Sequence, residues 1–220
     1  MLFSSDNDSG LKQFFLENFK WKTCLGSIME HYEFLEYTVP QPLMTLFRQQ
    51  ATQKIHSEGW AKQGRNVQTK IDNFVHCWIT EEAFKQILIQ KNIWFRYRGL
   101  YFGDAAGAGA DFTVRIDGKE VTVGLRSIAP ESLHQWKTVA YPNDRYEEEQ
   151  EKMADHHIVC NHDNGQARFF GIISKQHLLN ALQMSPVLYS RKNQEKFRIV
   201  HLDRFKFEDL VQLLEKMEKV

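Results

Sequence analysis

The spacing of apolar residues predicts helices in the first third of the chain. Large apolar side chains recur three and four positions apart in residues 11–19, 43–47 and 71–78. This spacing is typical of the buried face of an amphipathic helix. Pro40 interrupts the pattern, because proline cannot donate a backbone hydrogen bond inside a helix. We therefore predict a helical N-terminal extension over residues 1–79.

A helix and a first strand follow this extension. Thr80 has a side chain that can cap a helix, and the apolar stripe of that helix continues to about Gln90. From Ile93 the period changes to near alternation of apolar and polar residues, which is typical of a strand. The strands of the protein are therefore expected to begin at this point.

A β-hairpin is the clearest local signal in the sequence. Two runs with strand-like composition, residues 111–116 and 120–128, are joined by Asp117 and Gly118. An Asp-Gly pair favours a two-residue turn between antiparallel strands, because both of its positions adopt a positive φ. We predict that the two runs pair side by side.

Helices and strands alternate in the rest of the chain. The pattern predicts a helix at residues 144–154, strands at 157–161 and 167–173, a helix from Ser174 to about Met184, and a C-terminal helix. No linker in this part is long or rich in proline, glycine and serine. Residues 80–220 are therefore predicted to form one α/β core, on which the N-terminal extension packs.

Composition and charge exclude several classes of protein. Hydrophobic residues make up 42% of the 220 residues, which is too many for a disordered chain. The 28 basic residues balance the 28 acidic ones, so the chain as a whole is not a basic nucleic-acid coat. The three cysteines are widely separated, and no apolar run reaches the roughly 20 residues of a membrane helix. We expect a cytoplasmic protein without disulfides or a membrane span.

Five short segments follow one another in a recognisable order. They are Thr80-Glu81-Glu82-Ala83, Ile93 to Tyr97, Gly109-Ala110-Asp111-Phe112-Thr113-Val114, Gly118-Lys119 and Val121-Thr122-Val123-Gly124-Leu125-Arg126-Ser127. This order resembles the core of the PD-(D/E)xK nuclease superfamily over about residues 80–173. The resemblance implies a restriction-endonuclease-like α/β fold, in which helices flank a mixed central sheet.

The resemblance also implies a metal site for phosphodiester hydrolysis. Asp111 matches the acid that binds Mg²⁺ at the start of a core strand in this superfamily. Glu81 or Glu82 matches the glutamate that many members place on the preceding helix. We therefore predict Mg²⁺, or Mn²⁺, as the cofactor, with Asp111 and Glu82 as metal ligands. Carboxylate oxygens are the ligands that such hard cations prefer.

The second half of the motif departs from the pattern of the superfamily. Gly124 stands where an acid is expected, and Arg126 stands where a lysine is expected. Arginine can neutralise a phosphate but stays protonated. Glu120 lies four residues from Gly124, about 13 Å along an extended strand, which is too far to share one metal ion with it. The acidic stretch 147–151 is either the source of a replacement carboxylate or a solvated helix face.

A basic and amide-rich segment precedes the predicted core. The candidate nucleic-acid-binding residues are Lys62, Arg65, Asn66, Gln68, Lys70, Arg96 and Arg98. Lysine and arginine contact phosphates, whereas amides and neighbouring aromatic rings can reach bases. A solvated surface is the competing interpretation of the same residues.

Three functions remain open at this stage. The first is a Mg²⁺-dependent endonuclease that hydrolyses DNA, with Asp111, Arg126, Glu81 and Glu82 as catalytic residues. The second is a catalytically inactive protein of the same fold that binds nucleic acid or a regulatory partner, which Gly124 favours. The third is an interaction domain unrelated to nucleic acid, which the zero net charge favours. The resemblance further implies that the protein can act as a homodimer.

Overall fold

The computed structural model describes residues 19–23, 33–57, 66–99, 110–191 and 195–220. Its strands are β1 Phe19–Thr23, β2 Glu33–Thr38, β3 Phe95–Tyr97, β4 Phe112–Ile116, β5 Lys119–Ser127, β6 Thr138–Pro142, β7 His156–Asp163, β8 Gln166–Ser174, β9 Leu188–Ser190 and β10 Glu195–His201. Its α-helices are α1 Gln41–Ser57, α2 Val67–Gln90, α3 Pro130–Trp136, α4 Asn143–Glu148, α5 Lys175–Met184 and α6 Phe207–Lys216, and its short 3-10 helices are Gln150–Lys152 and Leu202–Arg204.

A seven-stranded mixed sheet runs through the middle of the fold. Its strand order is β1-β2-β8-β7-β5-β4-β3. β5 and β7 are parallel, with Gly124 opposite His157, and the other neighbours are antiparallel. A smaller antiparallel sheet has the order β6-β10-β9. The protein is therefore a mixed α/β fold with a mixed sheet flanked by helices, as predicted.

Two hydrophobic cores cover the two faces of the main sheet. Ile158 and Val159 are neighbours on β7 and belong to different cores, because successive side chains of a strand point to opposite faces. α1, α2 and α6 cover the first face, where Phe84 packs edge-on against Phe112 at 5.2 Å. α3, α5 and the smaller sheet cover the second face.

The predicted hairpin is present. β4 and β5 pair antiparallel from Phe112 opposite Val123 to Ile116 opposite Lys119. The two turn residues, Asp117 and Gly118, have φ values of 50° and 74°. Both values lie in the left-handed region that a tight hairpin turn requires. The turn thus sets the register that places the end of β5 beside the start of β4.

The N-terminal third of the described chain is only partly helical, which corrects the prediction of helices throughout residues 1–79. β2 is a strand of the main sheet and pairs with β8. Its residues 34–37 are all buried, so β2 lacks the alternation by which a half-exposed strand is recognised. Of the helical pattern predicted at residues 11–19, residues 11–18 lie outside the described residues, and Phe19 begins β1.

α2 is longer than predicted and runs across the predicted boundary between residues 79 and 80. Its N-cap is Asn66, whose side chain accepts a hydrogen bond from the Gln68 backbone N–H at 2.8 Å. Thr80 lies inside the helix, where its hydroxyl donates to the Cys77 carbonyl at 2.8 Å. A threonine that bonds back in this way does not interrupt a helix. The two predicted regions therefore share one helix and, through β2, one sheet.

The smaller sheet is a feature that the sequence pattern does not predict. β6 and β9 have five and three residues, which is too short for a period to be recognised. Arg198 of β10 donates from Nε to Asn143 Oδ1 at 2.8 Å and from Nη1 to the Ser185 carbonyl at 2.8 Å. These bonds tie the sheet to α4 and to the end of α5.

Within the described residues, no helix combines the length and the apolar character needed to cross a membrane.

Candidate functional site

Asp111 lies where β4 begins, beside the second half of β5. Its backbone carbonyl accepts a hydrogen bond from the Arg98 N–H at 3.0 Å. Its Oδ2 accepts one from the Leu125 backbone N–H at 2.7 Å. The Asp111 carboxylate thus serves as the acceptor that a backbone carbonyl would provide if the strand pairing continued. This pairing holds the carboxylate at the end of the sheet, next to the segment that carries Gly124 and Arg126.

Glu81 reaches the same place from α2. Its side chain is buried, and its Oε2 accepts a hydrogen bond from the Tyr97 hydroxyl at 2.7 Å. The Tyr97 ring stacks on Phe112 with the ring centres 4.9 Å apart. The helix and the sheet edge therefore present two carboxylates to one another.

The two carboxylates raise the cost of ionising each other. Burial raises the pKa of Glu81 to about 8, and the charge of Asp111 adds to the effect. Burial also raises the pKa of Asp111, against the opposing effects of the Leu125 N–H, Arg98 and Arg126. Two like charges in a desolvated place do not both ionise readily. The pair therefore retains a proton near neutral pH unless a cation joins it.

Arg98 already neutralises one of the two acids. Its Nη2 lies 2.8 Å from Asp111 Oδ1. We call Glu81, Tyr97, Arg98 and Asp111 the acid cluster. Cys77 is exposed and lies one turn before Glu81 on α2. The exposed Cys77 therefore marks a side of the acid cluster that solvent reaches.

Glu82 has other partners. Gln86 Nε2 donates to Glu82 Oε1 at 2.7 Å, and Lys85 Nζ forms an ion pair with Oε2. Neighbouring residues of a helix point in directions about 100° apart. The rotation of α2 on the sheet therefore brings Glu81 to Asp111 and turns Glu82 toward its own helix.

A second group of polar residues surrounds Gly124 and Arg126 of β5. A Cβ added to Gly124 would meet Ala154 Cβ at 3.4 Å and His157 Nδ1 at 3.5 Å. The Arg126 guanidinium lies 4.6 Å from the centre of the Tyr141 ring. Tyr141 in turn meets His157 edge-on at 6.1 Å. We call Arg126, Tyr141 and His157 the imidazole cluster.

Polar atoms of the imidazole cluster lack hydrogen-bond partners. Arg126 Nε, the Tyr141 hydroxyl and both ring nitrogens of His157 are buried without a hydrogen bond of good geometry within the described residues, although the Ala154 backbone raises the pKa of His157 and the Arg126 side chain lowers that of Tyr141. Burial and the charge of Arg126 lower the pKa of His157 to about 3, so its imidazole is neutral at pH 7. Arg126 also lowers the pKa of Asp111. The charge of Arg126 thus links the two clusters.

The structure gives several predicted nucleic-acid-binding residues a role in the fold. Lys62 and Arg65 lie outside the described residues. Asn66 caps α2, and Gln68 donates a hydrogen bond to the carboxylate four residues further along this helix. Lys70 is buried. Lys70 is therefore withdrawn from the surface, whereas Asn66 and Gln68 are exposed and stay predicted contacts.

The other predicted contacts divide between surface and site. Arg96 is exposed and lies 2.9 Å from Glu120 Oε2, whereas Arg98 belongs to the acid cluster. In the acidic stretch after β6, Glu149 pairs with Lys152 at 3.3 Å, and residues 147 and 148 are exposed. These contacts are those of a solvated face, the second of the two interpretations of that stretch.

The acid cluster offers two carboxylates to a hard cation. The part of the chain that the structure describes holds no group of three or more His, Cys, Asp or Glu that could bind a metal ion. Mg²⁺ commonly binds through one or two carboxylates, together with water and substrate phosphate oxygens. The raised pKa values of Glu81 and Asp111 mean that a positive charge between them would relieve their repulsion. The pair therefore fits Mg²⁺ or Mn²⁺.

Sequence patterns do not identify Tyr141 and His157 as neighbours of Arg126. Tyr141 lies on β6 of the smaller sheet, and His157 lies on a parallel strand that returns after four intervening elements. Tyr97 carries a weak signal, because it ends the short strand that pairs with the residue next to Asp111. A parallel neighbour has no local signature of this kind.

Comparison with known proteins assigns no family to the chain. No family model matches it, and no curated protein matches it. A solved structure of a nuclease from a fusselovirus is similar over 82% of this chain and 95% of that chain, with 11% sequence identity and a TM-score of 0.34. The function is therefore inferred from the residues of the site itself.

Proposed function

We propose that the protein is a metal-dependent nuclease with a restriction-endonuclease-like core, and that it hydrolyses phosphodiester bonds of DNA. The observation that supports this most directly is the pair of buried carboxylates, Glu81 and Asp111, beside β5. Strongly perturbed acids gathered at one place are typical of functional sites. Arg126 acts electrostatically on Asp111, so residues from three segments of the superfamily resemblance meet here.

Glu81 and Asp111 are the residues that would hold Mg²⁺ or Mn²⁺. When bound, such a cation lowers the pKa of a water molecule and offsets negative charge on the phosphate. The Leu125 N–H holds Asp111, and the Tyr97 hydroxyl holds Glu81. Both carboxylates are thus positioned before a cation or a substrate arrives, which reduces the entropy that binding must remove.

Arg126 supplies a permanent positive charge beside the acid pair. We assign it to the scissile phosphate, because its charge already lowers the pKa of Asp111. A cation fixed where negative charge develops stabilises the transition state without having to reorganise. Arg98, which is bonded to Asp111 Oδ1, is a second cation that can contact the substrate backbone.

Nucleic-acid binding without hydrolysis is the second candidate function. Gly124 leaves the acid pair without a third carboxylate from β5, and Arg126 cannot give up its proton to act as a base. A protein of this kind would keep its phosphate contacts and lose the transfer of the phosphoryl group. The neighbours that an added Cβ at Gly124 would meet, Ala154 at 3.4 Å and His157 at 3.5 Å, supply no carboxylate in its place, and this observation favours the binding protein.

Cleavage of supercoiled and linear DNA, with and without Mg²⁺ or Mn²⁺, tests the nuclease. We expect metal-dependent nicking by the wild type and a loss of about 100-fold in Asp111→Asn and in Glu81→Gln, because each variant keeps the shape of the side chain and removes one charge. Glu120→Gln is the matched control, because Glu120 is an exposed acid on the same hairpin.

Calorimetric titration with Mn²⁺ separates the two candidate functions. Metal binding and cleavage that both disappear in Asp111→Asn support the nuclease. DNA that is retarded in a gel but stays uncut under every metal condition selects the binding protein. Equal cleavage by Asp111→Asn and the wild type would remove the acid pair from the mechanism.

A further inference from the structure

An open groove lies between α5 and α6, at a distance from the acid cluster. The helices form its walls, and the ends of β8 and β10 form its floor. Its volume is about 930 Å³. This lies within the range of roughly 300–1,000 Å³ that is typical of ligand-binding pockets. Neither the fold nor the proposed hydrolysis explains why this surface is concave.

Cations without partners line one wall of the groove. Arg204, Lys206 and Lys216 are exposed, and their side chains make no ion pair or hydrogen bond in the described part of the chain. Asp203 and Asp209 also line the groove, so three cations outnumber two carboxylates. Asp209 lies in the first turn of α6, where a carboxylate favours the helix dipole. The wall therefore retains a surplus of positive charge for an anion.

The backbone that carries two of these cations is held tightly against the sheet. The Lys206 N–H donates to the Ile172 carbonyl at 3.0 Å, and the Ile172 N–H donates to the Lys206 carbonyl at 3.0 Å. Gly171 permits this approach, because an added Cβ would lie 2.7 Å from the Phe205 carbonyl carbon. Cations on a fixed backbone lose less entropy when they bind a ligand.

The floor of the groove suits a planar ring. Ile172, Ile199 and Leu213 are apolar, and Asn180 and Gln212 place amide groups on the two helical walls. Bases pack their faces on apolar or aromatic surfaces and pair their edges with amides. Cations, an apolar floor and amides together match the phosphate and the base of a nucleotide.

One end of the groove reaches the strand next to β5. His156 lines this end and is paired with Val123 of β5. Val123 precedes Gly124 and lies two residues before Leu125, whose N–H bonds Asp111. A ligand longer than one nucleotide could therefore extend from the groove toward the sheet, which favours a strand over a single nucleotide.

We propose that the groove binds a single-stranded segment of nucleic acid. Its phosphates contact Arg204, Lys206 and Lys216, and a base packs on the apolar floor of the groove. This binding site goes beyond the proposed nuclease activity, because it uses no residue of the acid cluster.

Fluorescence anisotropy of a short labelled single strand, measured in EDTA, tests the groove in the absence of cleavage. We expect the double variant Arg204→Ala/Lys206→Ala to bind about tenfold more weakly and to reduce the salt dependence of log K by about 1.4, because each lost phosphate contact contributes about 0.7. Lys119→Ala is the matched control, because it removes an exposed cation at the start of β5, outside the groove.

A second variant tests the rim of the groove. Met184 is 85% exposed at the rim of the groove, so Met184→Glu adds a negative charge without disturbing the core. It should also weaken binding, and its unfolding temperature should equal that of the wild type. If either groove variant binds the strand as tightly as the wild type does, the inference is wrong. It is also wrong if the wild type does not bind the strand. A mononucleotide that binds as tightly as the strand would overturn it as well.

The groove and the nuclease can fail separately. Asp111→Asn should bind the strand as the wild type does, because Asp111 is not part of the groove. If the protein binds the strand through Arg204 and Lys206 but never cleaves DNA, the groove proposal holds and the nuclease proposal is wrong. If the wild type shows metal-dependent cleavage and the groove variant binds the strand normally, the nuclease proposal holds and the groove proposal is wrong.

Discussion

The acid cluster and the imidazole cluster both lie beside the second half of β5, and their polar atoms differ in how they are hydrogen-bonded. In the acid cluster, Glu81 accepts a hydrogen bond from Tyr97, and Asp111 accepts bonds from Arg98 and from the Leu125 N–H. In the imidazole cluster, Arg126 Nε and both ring nitrogens of His157 are buried without a partner in the described residues.

This difference predicts where the protein gains and loses stability. A buried polar atom without a hydrogen bond costs about 1–3 kcal/mol, whereas a charged group that is bonded contributes to stability. Removal of a side chain from the acid cluster should therefore destabilise the fold, and removal of one from the imidazole cluster should not. If the imidazole cluster serves the reaction, its substitutions should lower cleavage while they leave stability intact or improve it.

The largest expected effect is on cleavage by Arg126→Leu. The substitution removes the fixed positive charge that acts on Asp111, and we expect the rate of DNA cleavage to fall about 100-fold. Arg126→Lys, which keeps a charge, should lose less. The measurement is the rate of metal-dependent nicking under single-turnover conditions.

The matched control for this prediction is Arg115→Leu. Arg115 stacks on Trp94 at 3.8 Å on the surface of the main sheet and has no role in the acid cluster. Its variant should cleave as the wild type does. Equal rates for Arg126→Leu and Arg115→Leu would mean that Arg126 serves only to pack against Tyr141.

The next effect is a contrast in stability between two arginines. Arg98→Met leaves the Asp111 carboxylate without its charged partner, so we expect a loss of about 2 kcal/mol in the free energy of unfolding. Arg126→Met removes a buried Nε that has no partner, so its free energy of unfolding should stay unchanged or rise. Urea unfolding of both variants measures the difference. Similar losses in both would show that the two clusters are equally well bonded.

Local patterns in the sequence are enough to predict the hairpin and the core of α2. Asp117 and Gly118 carry their own backbone preference, and the apolar stripe around Phe84 repeats over several turns. Glu81 and Glu82 are a different case, because both belong to the same helix and only the rotation of α2 on the sheet decides which of them faces Asp111. That rotation is set by packing against distant strands.

The imidazole cluster could not be predicted, because its members come from three separate strands. Tyr141 lies on β6, a strand too short to show a period, and His157 reaches Gly124 through a parallel pairing. Parallel neighbours are joined by long connections. β2 could not be predicted for another reason. Four of its consecutive residues are buried, so apolar and polar residues do not alternate along it.

The pH dependence of stability should have two arms, one from each cluster. The pKa of Glu81 is raised from its ordinary 4.5 to about 8, so its contribution is full below pH 4.5 and is lost as the pH rises through 8. The pKa of His157 is lowered from 6.5 to about 3, so its contribution is full above pH 6.5 and is lost as the pH falls toward 3. Each arm has a slope of at most about 1.4 kcal/mol per pH unit.

Thermal unfolding from pH 3 to pH 9 measures both arms. Glu81→Gln should flatten the alkaline arm and leave the acid arm, and His157→Leu should do the reverse. The difference between the wild-type curve and each variant curve isolates one group, because other titrating groups are common to both. An alkaline arm that persists in Glu81→Gln would mean that another group produces it.

The smallest expected effect is the gain in stability from His157→Leu at pH 7. Leucine fills a similar volume and removes two buried nitrogens that have no partner in the described residues, so we expect the free energy of unfolding to rise by about 1 kcal/mol. His177→Leu is the matched control, because His177 is exposed and its Nδ1 lies 3.1 Å from the Ser174 hydroxyl, and it should lose a little stability instead. A stabilised His157→Leu that also cleaves DNA more slowly would show that the unbonded imidazole is kept for the reaction. A stabilised variant with full activity would show that the cost at His157 is incidental to the fold.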